Sequence, residues 1–149
     1  MIKWQCKLFN ELTNKELYKI LQLRNEVFVV EQNCAYQDCD NKDFKSYHLS
    51  GWKGDDVVAY SRLLPKEVSY ADAASIGRVV TSPSARGKGL GKELIDKSLE
   101  NIELLFGNIQ VTIGAQPYLK KFYEGFSFLQ DGDIYLEDGI QHITMTKVM

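Results

Sequence analysis

Arg86-Gly87-Lys88-Gly89-Leu90-Gly91 lies between an apolar run at residues 76–81 and an amphipathic stretch at residues 92–106. A strand, a glycine-rich turn and a helix start, in that order, shape a backbone pocket for an anion such as a pyrophosphate. Glycine permits positive φ and close approach of the main chain, so successive N–H groups can converge on one oxyanion. The helix that follows adds its unpaired N–H groups and the positive end of its dipole. Arg86, Lys88 and Lys92 bring charge-assisted contacts for further phosphate oxygens.

Spacing separates three pockets that use such a turn. A P-loop requires Gly-x-x-x-x-Gly-Lys-Ser/Thr, but Gly91-Lys92 is followed by Glu93, and Arg86 stands where the first glycine belongs. A dinucleotide fingerprint requires Gly-x-Gly-x-x-Gly; here Lys92 occupies the third glycine's place and no early βαβ unit surrounds it. Arg/Gln-x-x-Gly-x-Gly/Ala remains, and Arg86, Gly89 and Gly91 fit it. That pattern resembles the acetyl-CoA pyrophosphate loop of the GNAT superfamily of N-acetyltransferases. Taken alone, the hexapeptide is also compatible with a glycine-rich helix entry that binds nothing.

The chain of 149 residues suits one domain, 1–149, built around a single core. Its 44% hydrophobic and 26% charged residues are ordinary for a soluble globular protein. A net charge of −2 gives no broad electrostatic reason to expect nucleic acid or an anionic membrane as partner. No apolar run approaches the ~20 residues of a transmembrane helix, and Met1-Ile2-Lys3-Trp4-Gln5 lacks the apolar core of a signal peptide. Cys6, Cys34 and Cys39 are too scattered for a disulfide framework and lack a zinc-site pattern. Free thiols fit a reducing cytoplasm, and no metal is expected.

Alternation marks a strand at residues 2–9. Thr13 with Glu16 forms a capping box, followed by a helix face of Leu17, Ile20, Leu21, Leu23, Val27 and Phe28. Residues 33–45 and 65–73 read as loops, and residues 48–52 and 57–64 as a hairpin around Lys53-Gly54-Asp55-Asp56. A strand at 76–81 is followed by a helix at 89–106 with Leu90, Leu94, Ile95, Leu99, Ile102 and Leu105 on its buried side. A strand at 109–114, a short helix at 117–126 and two strands around Glu137-Asp138-Gly139 complete the order β-α-β-β-β-α-β-α-β-β. A meander followed by a βαβ crossover implies a mixed α/β sheet with helices on both faces.

A second signal is Tyr118-Leu119-Lys120-Lys121-Phe122-Tyr123-Glu124-Gly125-Phe126-Ser127-Phe128. On a helix, Leu119, Phe122 and Phe126 face inward, with Tyr123 one step round, where its hydroxyl can reach a cleft. The segment is similar to the Asn-x-x-Ala-x-x-Phe-Tyr-x-x-x-Gly-Phe stretch common in GNAT enzymes, with Gln116, Leu119 and Ser127 departing from it. Val27-Phe28-Val29-Val30-Glu31-Gln32, Ile76-Gly77-Arg78-Val79 and Asp138-Gly139-Ile140-Gln141-His142-Ile143 look like the ElaA-like branch of that superfamily, so the resemblance covers essentially the whole chain.

The resemblance implies a mostly antiparallel sheet splayed between strands four and five. It implies acetyl-CoA as acyl donor and an amine acceptor, with no metal. Val79, Val80 and Thr81 would hydrogen-bond the pantetheine arm as an added strand does. Arg86, Gly87, Lys88, Gly89, Leu90, Gly91 and Lys92 would take the pyrophosphate, and Gln116 and Phe122 would complete the donor site. Homodimers are common in the superfamily.

Amine acetylation needs an unprotonated amine, a donor to the carbonyl oxygen and a proton for the leaving thiolate. GNAT enzymes usually proceed by direct attack, which matches the lack of a convincing nucleophile–base pair here. Tyr123 is the candidate acid, a phenol with an ordinary pKa near ~10. Some family members place a basic glutamate on strand four; residues 75–81 hold no carboxylate. His142 is the favoured base, because imidazole titrates near neutrality and the residue lies in the stretch that resembles the ElaA-like branch, with Glu31, Asp38, Asp40 and His48 as other candidates. Glu31, Asp40 and Arg78 are candidate acceptor contacts, and Tyr36, Trp52, Tyr60 and Tyr70 candidate pocket aromatics that sequence does not separate from core packing. A non-catalytic acyl-CoA-binding module would use the same glycines but has no need of Tyr123. A third reading, an acyl-homoserine-lactone-type synthase suggested by Arg24 and residues 27–31, asks for a longer chain.

Overall fold

The computed structural model describes residues 1–148. Its elements are β1 (Lys3–Leu8), α1 (Asn14–Arg24), β2 (Tyr47–Lys53), β3 (Asp56–Leu64), β4 (Ser75–Thr81), α2 (Leu90–Phe106), β5 (Val111–Ala115), α3 (Lys120–Glu124), β6 (Leu129–Gln130), β7 (Tyr135–Glu137) and β8 (Ile140–Lys147). The order matches the sequence reading with one addition, the two-residue β6.

Thr13 caps α1 as its spacing predicts: its hydroxyl accepts from the Glu16 N–H, and the Glu16 carboxylate accepts from the Thr13 N–H. The helix does not continue regularly through Phe28. Asn25–Glu31 forms a π-helical run, burying Val27 and leaving Val30 and Glu31 at the surface. Val27, Val29 and Val30 are β-branched, and such side chains crowd a 3.6-residue turn. The second short helix is likewise divided, into a 3-10 turn over Pro117–Leu119 and α3.

Strands β1-β2-β3-β4 form one antiparallel sheet, and β8 pairs with β5, β6 and β7 in a second. Both hairpins turn where glycine allows positive φ, at Gly54 (φ 63°) and at Asp138-Gly139 (φ 51° and 77°). The mixed, mostly antiparallel arrangement is as expected, with the two halves parted between β4 and β5. Their strands meet at one parallel bridge between Ala74 and Val111, where the Ala74 N–H donates to Gln110 O at 3.0 Å and the Thr112 N–H to Ala74 O at 2.9 Å. Beyond it β4 and β5 run in the same direction without pairing, which is the expected splay.

Helices α1 and α2 cover opposite faces of the first sheet, each with its own core. Leu90, Leu94, Ile95 and Ile102 of α2 pack with Leu49, Ala59, Leu63 and Ile76. Ile20 and Leu23 of α1, with Val27, pack with Val57, Tyr60 and Val80. Each fully buried aliphatic side chain is worth about 1.5–3 kcal/mol. Leu105, expected on the buried stripe, is 38% exposed; its neighbour Phe106 packs on the core instead, edge-on against Tyr47 of β2.

Candidate active site

The site begins with an irregularity in β4. Arg62 pairs with Gly77 and Tyr60 with Val80, so Arg78 and Val79 together face Ser61. This is a β-bulge, and Arg78 takes φ +49° to make it. The Ser82 N–H donates to Val58 O at 2.8 Å, which fixes the alternation along the strand. Val80 faces β3, while the Val79 and Thr81 backbone groups turn towards the gap between the sheets. Thr81 confirms this: its carbonyl accepts from Arg86 Nη2 at 3.1 Å.

A cleft of about 740 Å³ fills the gap, lined by Gly77, Arg78 and Val79 on one side and Gly114, Ala115, Tyr123 and His142 on the other. A second hollow of about 480 Å³ lies beside Val80, Thr81, Arg86 and Glu31. Phe28, Gln32 and Val79 line both, so the π-helical run forms the wall between them.

The glycine-rich turn leads into α2 with Gly87 at φ 88° and Gly89, the N-cap, at φ 74°. Gly89 supplies no side-chain cap, and the first α-helical bond is from the Glu93 N–H to Gly89 O. The N–H groups of Leu90, Gly91 and Lys92 therefore have no partner within the helix. Leu90 puts its side chain into the core, so it can offer a ligand only its backbone. A Cβ at Gly87, Gly89 or Gly91 would meet nothing within 4 Å. Lys88 and Lys92 are exposed, and among the described residues neither has a carboxylate within 4.0 Å. An uncapped helix start above open glycines, flanked by two free cations, fits a diphosphate. Arg86 differs: it makes two contacts to Glu31, at 2.7 and 2.8 Å. Glu31 thus sits by the loop, whose guanidinium holds its carboxyl below the usual range, instead of in the cleft.

Tyr123 and His142 share the cleft. Tyr123 is 6% exposed, more buried than its neighbours Phe122 and Phe126, and burial pushes its phenol up to about 12. Phe122 packs edge-on against it and does not line the cleft; Gln116 does. His142 stacks on Tyr135, and its Nδ1 lies 2.9 Å from Ile140 O. That carbonyl accepts only from Nδ1–H, which leaves Nε2 with its lone pair, 3.6 Å from Glu137.

The other candidates are divided by the structure. Tyr36 and Tyr70 line the cleft, whereas Trp52 and Tyr60 pack in the α1 core. His48 is fully buried away from it, between Tyr60 Oη at 2.6 Å and Asp43 O at 3.0 Å. Asp38 is held by Arg24 and Arg78. Arg78 and Asp40 reach the cleft already paired, Arg78 with Asp38 at 2.8 Å and Asp40 with Arg62 at 2.7 and 3.0 Å. Burial works against charge on Asp40, but the Arg62 contacts prevail and bring its carboxyl down to about 2.

The sequence of this chain matches the Acetyltransferase (GNAT) domain family over residues 12–149. The chain belongs to that family. It is 44% identical to protein ElaA of Escherichia coli over 149 residues, covering 99% of this chain and 97% of ElaA. An acyl-CoA N-acyltransferase from Pseudomonas aeruginosa superposes with a TM-score of 0.95 at 43% identity, over 99% of this chain and 100% of that one. The crystal structure of E. coli ElaA gives 0.92 at 42% identity, over 99% of each. More distant members, such as the Elizabethkingia anophelis GNAT acetyltransferase solved with acetyl-CoA at 12% identity and TM-score 0.65, share the fold.

Two parts of the site escaped sequence reading. One is the ion network of Arg24, Arg62, Asp43 and their partners; its signal was an arginine inside the otherwise apolar strand 57–64. The other is the wall formed by Phe28 and Gln32, which depends on a π-helical turn that no local pattern announces.

Proposed function

We propose that this protein moves the acetyl group of acetyl-CoA to an amine by direct attack. The observation that carries the reading is the parting of β4 from β5 beside an uncapped α2 N-terminus: the unpaired β4 edge lines two adjoining hollows, and Arg86, which opens the glycine-rich turn, lines the smaller of them. Acetyl-CoA supplies an activated thioester carbonyl. Gly87, Gly89 and Gly91, with Lys88 and Lys92, take its diphosphate. The outward groups of Val79 and Thr81 hold the pantetheine arm as a neighbouring strand would. The bulge at Arg78–Val79 turns a backbone N–H towards the carbonyl oxygen, an oxyanion-type contribution.

His142 Nε2 accepts a proton from the incoming ammonium, with Glu137 Oε2 3.6 Å away. Tyr123 gives its proton to the leaving sulfur; its raised pKa keeps it protonated at neutral pH.

The test is thiol release from acetyl-CoA across an amine panel. Turnover is expected, with at least about a hundred-fold loss in Tyr123→Phe and unchanged acetyl-CoA affinity. Binding without turnover of any amine, indifferent to Tyr123→Phe, would instead identify an acyl-CoA-binding module.

A further inference from the structure

The first sheet and its loops bring Lys42, Arg62 and Arg78 to one stretch of the cleft. Arg24, buried behind them, belongs to the same ion network. Asp38, Asp40 and Asp43 hold Arg24, Arg62 and Arg78 through contacts of 2.7–3.5 Å. Four cations thus stand against three carboxylates, and Lys42 is the one left over. Its Nζ donates to Ser69 Oγ at 3.1 Å, and among the described residues no carboxylate lies within 4.0 Å of it.

Arg62 is incomplete in another way. Nη1 and Nη2 are taken by Asp40 and Asp43, but buried Nε has no partner, in a side chain only 4% exposed. Gly77 faces Arg62 across β3 and β4, and a Cβ there would point at the guanidinium, 3.9 Å from Nε and from Nη2. Gly77 has no positive φ, so the backbone does not demand glycine. Its missing side chain leaves a notch on the cleft surface over the edge of a buried cation. Asp40 Oδ1 accepts from Arg62 Nη1 at 2.7 Å and from the Lys42 backbone N–H at 3.1 Å, which sets the Lys42 main chain beside the Arg62 guanidinium. On the second sheet, the β7–β8 hairpin brings Glu137 and Asp138 to the same cleft, beside His142.

We propose that the acceptor is an amine carrying a carboxylate at the far end of a short chain, an ω-amino acid in chemical class. The carboxylate occupies the Gly77 notch, served by Arg62 and Lys42, and the amine points towards His142. The assignment rests on the acetyltransferase reading and deepens it by naming the acceptor class. Asp40 does not forbid an anion here, because its charge is already matched by Arg62; a carboxylate answers the surplus on Lys42. A carboxylate leaving water needs charge-assisted donors, and this stretch of the cleft has them unspent. Gly77 lies two positions before Val79, at most about 7 Å for a fully extended chain and less across the bulge. That distance separates the notch from the level of the bulge, and a chain of about three methylenes spans it.

Calorimetry on the full chain without acetyl-CoA tests this, with γ-aminobutyrate, its methyl ester and butylamine as probes. The acid should bind at least about ten-fold more tightly than the ester or butylamine, as a charge-assisted contact requires. Lys42→Gln and Gly77→Ala should each erase most of that preference and leave butylamine affinity unchanged. Gly77→Ala keeps the fold, since its methyl meets Leu64 Cδ1 at 3.5 Å, an ordinary contact. Equal binding of acid and ester, or a preference that survives both substitutions, overturns the proposal. Acetyl-CoA titrated separately keeps the two readings apart. A protein that binds acetyl-CoA and acetylates butylamine as readily as γ-aminobutyrate loses the acceptor assignment and remains an acetyltransferase. A protein that prefers acid to ester but binds no acetyl-CoA has the carboxylate notch and is not an acetyltransferase.

Discussion

Arg86 and Glu31 close a clasp across the mouth of the smaller hollow, two N–H···O contacts of 2.8 and 2.7 Å between the glycine-rich turn and the π-helical run. The same guanidinium donates to Thr81 O, on the strand edge assigned to pantetheine. Arg86 is therefore occupied on both sides, and under the proposed reading an incoming acyl donor would compete for it. Glu31→Gln should release it and tighten CoA binding about two- to five-fold, the scale of an exposed ion pair. Calorimetry at low and high salt reads this; weaker binding in the variant would show instead that Glu31 holds Arg86 in its working position.

Gly91 separates folding from ligand binding. It lies in the first turn of α2 with helical backbone and open space beyond its Cα. Gly91→Ala should therefore raise stability by about 0.5–1 kcal/mol, seen as a higher Tm. On the proposed reading the same methyl would stand where the diphosphate approaches, so affinity for CoA should fall about ten-fold or more. Unchanged affinity would remove this glycine from the donor site.

Tyr123→Phe deletes one oxygen from a packed ring and should leave the Tm within a degree or two while kcat falls. Because burial already lifts the phenol to about 12, wild-type activity should show no alkaline loss from this group below about pH 11. An alkaline limb near pH 9 that disappears in Tyr123→Phe would contradict the assignment.

His48 makes stability depend on pH. Its Nε2–H donates to Asp43 O, and the Tyr60 hydroxyl donates to Nδ1, so the folded ring is neutral. Burial lowers its pKa below the ordinary 6.5. The unfolded chain thus takes up this proton first as pH falls, and the native state loses ground below about pH 6.5. The slope is at most ~1.4 kcal/mol per pH unit. Urea midpoints at pH 8, 7, 6 and 5 should decline below 7, and His48→Gln should flatten that decline; identical profiles would exclude His48 as the cause.

Asp43 is the joint of the buried network, bonded to both Arg24 and Arg62. Burial alone would raise its carboxyl, but the two guanidinium groups hold it below the usual value. Asp43→Asn leaves two buried cations short of a partner and should destabilise by about 3–5 kcal/mol, measured by chemical unfolding. A loss under 1 kcal/mol would mean that Asp38 and Asp40 take over its contacts.

Local chemistry carried much of this architecture. Thr13 and Glu16 announce α1, the alternation around Gly54 and Gly139 places two hairpins, and the glycines at 87–91 mark the start of α2. That Tyr123 and His142 line one cleft was legible for the same reason: each sits beside a short motif. The ion network was not. Asp38 and Asp40 read as candidate bases or acceptor contacts, and Asp43 as part of a polar loop, until Arg24, Arg62 and Arg78 meet them from three separate elements; long-range ion pairing leaves no periodicity. Trp52 and Tyr70 look alike in sequence, yet one is core and one is cleft, because only tertiary packing decides which face of an element meets the gap.

The lone bridge at Ala74 and Val111 has a consequence for cooperativity. Backbone pairing joins the two sheets at that point alone among the described residues, so their amide protons have reason to exchange with solvent at different rates. A ligand bonded along the β4 edge and seated against β5 would act as the missing rung, tying two semi-independent halves into one unit that opens only as a whole.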